Sequence, residues 1–73
     1  MRRKENELTS REKEVLKLIA LPRKEIAKRL FIELTTLKRH ITNIYKKLQT
    51  NDKAIAILTA IEKGIISNED IVR

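Results

Sequence analysis

The sequence predicts an all-α, four-helix bundle-like domain that contains a helix-turn-helix. Three observations favour this fold class: 37% of the 73 residues are charged, Gly and Pro occur once each, and apolar residues recur at spacings of three and four. Such a chain favours helices joined by short turns over a sheet, and its length suits one small domain. The expected helices cover residues 10–20, 22–30, 34–48 and 52–63.

The first helix is expected after a polar N-terminal segment. Residues 1–7 are charged and polar, and we expect a flexible arm or the end of a linker there, with the domain at 8–73. Thr9 and Glu12 have the spacing of a capping box, which predicts that helix one begins at residue 10. Pro22 ends helix one and suits the first position of helix two, because the residue before a proline is pushed out of the α region.

Helices two and three form the helix-turn-helix. Ala27 is small where the two helices must approach closely, and we expect Phe31 and Ile32 to fill the turn between them. Helix three carries one apolar stripe at spacings of four, three, one and three, so one side of it faces the core. The stripe consists of Leu37, Ile41, Ile44, Tyr45 and Leu48.

Helix four begins after an Asn51-Asp52 cap and ends before Gly64, a natural left-handed stop. It is apolar on nearly every side, although a small domain covers only one side of a surface helix. We therefore expect a second copy of the chain to cover the remainder. The expected dimer contact is Ile55, Leu58 and Thr59.

The charge of the chain is concentrated in the helix-turn-helix. Residues 22–48 hold eight basic and two acidic side chains, so this segment carries +6 of the formal net charge of +7. A generic solubilising charge would be spread along the chain. A polyanion is therefore the expected partner, and helix three is suited to enter the major groove of DNA.

Several motifs in order resemble the LuxR/GerE-type helix-turn-helix domain. They lie at residues 8–16, 24–32, 36–40 and 43–48, and the resemblance covers about residues 8–66. It implies a four-helix DNA-binding domain of bacterial transcription regulators, with helix three in the major groove and helix four as a two-fold dimer contact. In this family the domain usually follows a receiver or ligand-sensing domain.

By this resemblance, the major-groove readers are Lys38, Arg39 and Thr42. Arg39 is the most specific candidate, because a guanidinium can bind O6 and N7 of guanine together. A second group lies near the starts of helices two and three or one turn beyond Thr42, where phosphates are the better partners. This group consists of Arg23, Lys24, Thr35, Thr36 and Lys46.

The sequence also departs from the family pattern. The loop between helices one and two is shorter and reads Leu21-Pro22-Arg23. Glu33 stands where the family usually has Ser at the start of helix three; Glu is a poorer helix cap than Ser, and its charge repels a phosphate. Gln49 replaces the Gly that usually follows helix three. The basic outer side of helix three is kept.

The composition argues against catalysis, metal binding and membrane insertion. Cys is absent and His occurs once, so thiolate or zinc sites lack ligands, and no nucleophile is paired with a base. We expect no enzyme activity and no cofactor, and we interpret His40 as a packed structural residue. No apolar run approaches the roughly 20 residues of a membrane span, and the start lacks a secretory signal. We expect a soluble cytoplasmic protein.

The leading hypothesis is therefore a sequence-specific regulator of transcription that binds double-stranded DNA as a weak homodimer. The alternative is a helical protein-interaction module that binds RNA polymerase or inhibits another regulator, which the apolar helix four favours. DNA affinity should fall steeply with salt, whereas apolar docking should not. The target sequence, the direction of regulation and any sensor domain are not encoded in these residues.

Overall fold

The computed structural model of the protein describes residues 8–72, and the all-α fold is confirmed. The arm expected at 1–7 lies outside the described residues, as does residue 73. Within the described range, four α-helices are followed by a short 3₁₀ helix, and there is no strand. The helices are α1 (Ser10–Lys17), α2 (Arg23–Leu30), α3 (Leu34–Leu48) and α4 (Lys53–Glu62), and the 3₁₀ helix is Asn68–Asp70.

Helix α1 begins at the predicted capping box. The backbone N–H of Glu12 donates to Oγ1 of Thr9 at 3.1 Å, and the N–H of Thr9 donates to Oε1 of Glu12 at 2.9 Å. The helix ends at Lys17, three residues before the predicted end at residue 20. The N–H groups of Leu18 and Ile19 bond to carbonyls three residues back, which tightens the chain into a turn.

The other helix ends agree closely with the sequence. Pro22 was expected to be the first helical residue of α2. It is instead the N-cap residue, because its backbone is still extended, with ψ of 146°. Helix α3 has the predicted bounds. Helix α4 is one residue shorter than expected at each end; Oδ1 of its Asp52 cap accepts from the N–H of Ile55 at 3.1 Å. Gly64 adopts the expected left-handed conformation, with φ of 75°.

Helix α3 is the centre of the domain. It packs against α1, α2 and α4, and its most extensive contact is with α1. The four aliphatic members of its apolar stripe are buried, and Tyr45 lies half-buried against the core. The buried apolar core consists of Leu8, Val15, Leu16, Ile19, Ile26, Ala27, Leu37, Ile41, Ile44, Leu48, Ala56, Ala60, Ile66 and Ile71.

A larger side chain at position 27 would test how closely α2 packs against the core. Ala27 is 8% exposed, and α2 packs against α3. We expect Ala27→Leu to lower the free energy of unfolding by about 1–3 kcal/mol, because the added volume has to fit into a packed core. Thermal and urea unfolding followed by circular dichroism would measure this.

Ala54→Leu is the matched control, because Ala54 is exposed near the start of α4. That variant should unfold at nearly the parental midpoint. An Ala27→Leu protein as stable as Ala54→Leu would contradict the packing of α2 described above.

Candidate nucleic-acid interface

The turn between α2 and α3 consists of residues 31–33. Phe31 ends α2 in the left-handed region, with φ of 57° and ψ of 44°. The N–H of Ile32 then bonds to the carbonyl of Ala27 at 3.0 Å, and Ile32 packs half-buried against the core. The expectation that Phe31 also fills the turn is wrong. The residue is 94% exposed, so its ring lies in solvent and not against the core.

Helix α3 begins without a side-chain cap. Glu33 is its exposed N-cap residue, and the Glu33 carboxylate accepts no hydrogen bond from the first turn. Its carbonyl does accept from the N–H of Leu37 at 3.0 Å. Leu34, the first helical residue, is 37% exposed. The start of α3 is therefore open to solvent and to a binding partner.

The side of α3 opposite the core is polar and cationic. Its exposed residues are separated by three or four positions, so they share one side of the helix. We call this side the outer face and define it as Thr35, Lys38, Arg39, Thr42 and Lys46. All three predicted base readers thus lie on an exposed surface. Thr36, predicted to contact phosphate, lies beside the outer face and is half-buried.

The start of α2 supplies two further exposed cations. Arg23 and Lys24, both predicted phosphate contacts, are the first two residues of this helix. Glu25 follows directly, and its carboxylate pairs with Arg29 one turn further along α2, with Nε and Oε2 3.0 Å apart. The salt bridge of Glu25 is thus with Arg29, on the exposed surface of α2, and not with Arg23 or Lys24.

One cation of the helix-turn-helix, Lys47, forms a salt bridge with a buried carboxylate of α1. Nζ of Lys47 lies 2.8 Å from Oε1 of Glu12, and Glu12 is 4% exposed. This salt bridge connects the end of α3 to the start of α1. The sequence predicted the role of Glu12 in the capping box but not its pairing with Lys47. The two residues are 35 positions apart, and local spacing carries no signal for such a contact.

The environment of Glu12 favours its ionised form. Burial acts to raise the pKa of Glu12, but hydrogen bonds from Lys47 and from the Thr9 backbone, together with the charge of Lys47, lower it below its usual value. A carboxylate is therefore held in place at this junction at neutral pH. This carboxylate balances the charge of Lys47, whose Nζ lies at the junction with α1 and not on the outer face.

The remaining side chains with possible chemistry are dispersed. His40 is half-buried, as expected for a residue on the boundary of the α3 stripe. Between residues 8 and 72, no three His, Cys, Asp or Glu side chains are grouped so that they could hold a metal ion. In the same part of the chain, no helix is both long enough and apolar enough to span a bilayer.

Helix α4 presents apolar side chains to solvent. Its buried residues are the small Ala56 and Ala60, whereas Ile55 is 50% and Leu58 59% exposed. Thr59, the third residue of the predicted dimer contact, is half-buried. The apolar surplus predicted for this helix is thus present on its surface.

Comparisons with known proteins agree with this architecture. Residues 6–60 match the family described as bacterial regulatory proteins, luxR family. The transcriptional regulatory protein LiaR of Bacillus subtilis strain 168 is 44% identical over 62 residues, which cover 82% of this chain and 29% of LiaR. The nitrate/nitrite response regulator protein NarL of Escherichia coli strain K12 is 45% identical over 62 residues, with the same two coverages.

A third relative, the transcriptional regulatory protein YdfI of Bacillus subtilis strain 168, is 42% identical over 67 residues, which cover 89% of this chain and 32% of YdfI. The chain thus spans about three tenths of the length of these relatives. The chain belongs to the LuxR family, and the resemblance found in the sequence is confirmed. It is a LuxR-type domain, the DNA-binding kind found in transcription regulators.

The Glu12–Lys47 salt bridge predicts a specific pH dependence of stability. Because the pKa of Glu12 is lower in the folded chain than its usual 4.5, the ion pair stabilises fully above that value. The stabilisation is lost as the pH falls through the folded pKa. Glu12→Gln should lower the unfolding free energy at pH 7 by about 1–3 kcal/mol, since the hydrogen bond to a charged group is weakened.

Urea denaturation between pH 7 and pH 3 would measure the difference between parent and variant. That difference should be constant above about pH 5 and shrink below it. Glu14→Gln is the control, because Glu14 forms only an exposed pair with Arg11 and such pairs contribute little. A Glu12→Gln difference that stays unchanged down to pH 3 would show that the carboxylate charge is irrelevant.

Proposed function

We propose that this domain binds a specific sequence of double-stranded DNA and so regulates transcription, with α3 in the major groove. The outer face of α3 carries this proposal. It combines three cations and two hydroxyl groups on one exposed side, while the opposite side anchors the helix in the core. Side chains that reach base edges must be exposed, and their helix must be held rigidly at its inner side.

Within this proposal, Lys38, Arg39 and Thr42 read bases. Arg39 can donate two parallel hydrogen bonds to guanine, and Thr42 offers either its hydroxyl or its methyl group. Contacts to the flanking phosphates would come from cations and hydroxyls at the edges of the motif and would fix its position on the duplex. Those residues are Arg23, Lys24, Thr35, Thr36 and Lys46.

A duplex fits the domain better than a single strand does. Proteins that bind single strands stack successive bases on several exposed aromatic rings. Aromatic residues make up 3% of this chain, and Tyr45 is half-buried against the core. Phe31 alone among residues 8–72 is an exposed aromatic side chain, and one ring does not make a stacking platform.

The dimer contact we propose is the exposed apolar surface of α4, centred on Ile55 and Leu58 with Thr59 beside them. One short helix buries far less than the roughly 1,200–2,000 Å² of a standard stable interface. The dimer should therefore be weak in free solution. Two half-sites on one duplex would hold both copies close together and complete the contact.

The alternative remains a helical protein-interaction module that docks on RNA polymerase or on another regulator in the cytoplasm. The exposed Ile55 and Leu58 favour it as well, since an apolar surface suits a protein partner. The salt dependence of the binding affinity distinguishes the two functions. Duplex affinity should fall linearly on a logarithmic plot against salt, with a slope set by the number of phosphates contacted.

Arg39→Ala tests base reading. We expect a loss of about 1–3 kcal/mol of binding free energy on a duplex selected from random sequences, and a smaller loss on a scrambled duplex, because the bidentate contact to guanine discriminates between bases. Fluorescence anisotropy at several salt concentrations would give both affinities and the salt slope.

Arg11→Ala is the matched control, since it removes the same charge from α1, where Arg11 pairs with Glu14. It should leave the ratio of the two affinities unchanged. If Arg39→Ala weakens binding equally on both duplexes, Arg39 contacts phosphate and reads no base.

Leu58→Asp tests the dimer surface. Leu58 is 59% exposed, so the substitution should spare the fold while placing a carboxylate in the apolar contact. We expect the variant to bind a single half-site as the parent does, and to lose cooperative occupancy of a duplex with two half-sites. Mobility shifts that resolve one and two bound copies would measure this.

Lys63→Gln lowers the net charge by the same single unit near the end of α4 and should keep cooperativity. Cooperative binding by Leu58→Asp would exclude α4 as the dimer surface. Unfolding of Leu58→Asp, detected by circular dichroism, would instead assign Leu58 to the core.

A further inference from the structure

Large apolar side chains are exposed at two places within residues 8–72. Ile55 and Leu58 lie on α4 and belong to the proposed dimer contact. Phe31 and Leu34 lie on either side of Glu33, at the entrance to α3. This second pair has no role in the interface described so far, and Leu34 lies beside the cationic outer face of α3.

Leu34 continues the outer face of α3 towards its start. It precedes Lys38 by four residues and Thr42 by eight, so the three side chains follow one another along one side of the helix. Each step of four residues advances about 6 Å along the axis. In a helix-turn-helix, the N-terminal residues of the second helix are those that contact base edges. Leu34 therefore stands where a base-contacting residue belongs.

We propose that Leu34 is a specificity-determining residue that contacts the 5-methyl group of a thymine in the major groove. This inference rests on the proposed placement of α3 in that groove. Thymine is the base that presents a methyl group there, and the other major-groove edges present hydrogen-bond donors and acceptors. Leucine has no group that could pair with those polar atoms, so covering them would leave them without hydrogen bonds.

The charges around Leu34 direct it to DNA in preference to a protein surface. Lys38 and Arg39 follow it within two turns, and both are exposed without a salt bridge among the described residues. An apolar protein partner would have to bury these cations beside Leu34. A duplex would instead pair them with phosphates or base acceptors while the leucine meets a methyl group.

Phe31 is the less suitable of the two apolar side chains. It lies before the helix, in a left-handed turn residue, and 94% of it projects into solvent. It is therefore not in line with Lys38 and Thr42. This difference makes Phe31 a useful comparison, because its removal takes away an exposed apolar group from the same turn.

Replacement of thymine by deoxyuridine tests the proposal directly, since deoxyuridine keeps every hydrogen-bonding group and lacks the methyl. Starting from a duplex selected by the parent protein, each thymine of one half-site is replaced in turn. Burial of one methyl group changes affinity by about fourfold, so one position should show a loss of that size with the parent. Fluorescence anisotropy on the single half-site would measure it.

The protein variants assign that methyl effect to a residue. With Leu34→Ala the loss at that position should disappear, while losses at thymines read by other residues persist. Leu34→Met keeps an apolar side chain of similar reach and should retain the thymine preference. Phe31→Ala should behave as the parent does. Circular dichroism should show all three variants folded, because both sites are exposed and, at position 34, Ala and Met favour helix.

Each other outcome overturns a defined statement. If Leu34→Ala keeps the full methyl effect, or Phe31→Ala abolishes it, Leu34 is not the residue that contacts the methyl. If the parent binds its duplex with strong salt dependence but no deoxyuridine matters, the Leu34 proposal fails and the proposed DNA binding stands. If the parent binds no duplex DNA at all, the proposed function itself fails.

Discussion

Leu37 and Ile44 have no exposed surface, and through them α3 is held against the other helices of the domain. The orientation of the outer face of α3 depends on this burial. A helix with one fully buried side has a fixed rotation about its axis, so the residues opposite are presented in one arrangement. The Glu12–Lys47 salt bridge adds a polar contact between α3 and α1 near the far end of the same helix.

The salt bridges within the domain also determine which cations remain unpaired. Of the basic residues in the helix-turn-helix, Arg29 pairs with Glu25 and Lys47 with Glu12. The outer face of α3 and the start of α2 keep theirs unpaired within the described residues. Folding therefore divides the positive charge of the helix-turn-helix into two parts. Arg29 and Lys47 form salt bridges within the domain, and the cations of the outer face and of the start of α2 are available to an external polyanion.

Local patterns predicted the parts of the fold that local chemistry determines. The bounds predicted for α3 are those observed, its apolar stripe reaches to the last residue of the helix, and the Asn51-Asp52 cap gave the start of α4 within one residue. Two features were not predictable in this way. The Glu12–Lys47 contact joins residues distant in sequence, and Phe31 is exposed at the end of α2, with a left-handed backbone that non-glycine residues seldom adopt. The exposure of the three proposed base readers is consistent with their role, which stays a prediction.

The exposed aliphatic side chains of α4 belong to a chain with a formal charge of +7, so copies of the domain repel one another in dilute solution. That repulsion acts against the meeting of Ile55 and Leu58 with their counterparts. A nucleic acid duplex carries a dense negative charge and would cancel it for any two copies bound side by side. In the proposed complex, DNA thus acts as a counterion that removes the repulsion between the two copies, and it also positions them side by side.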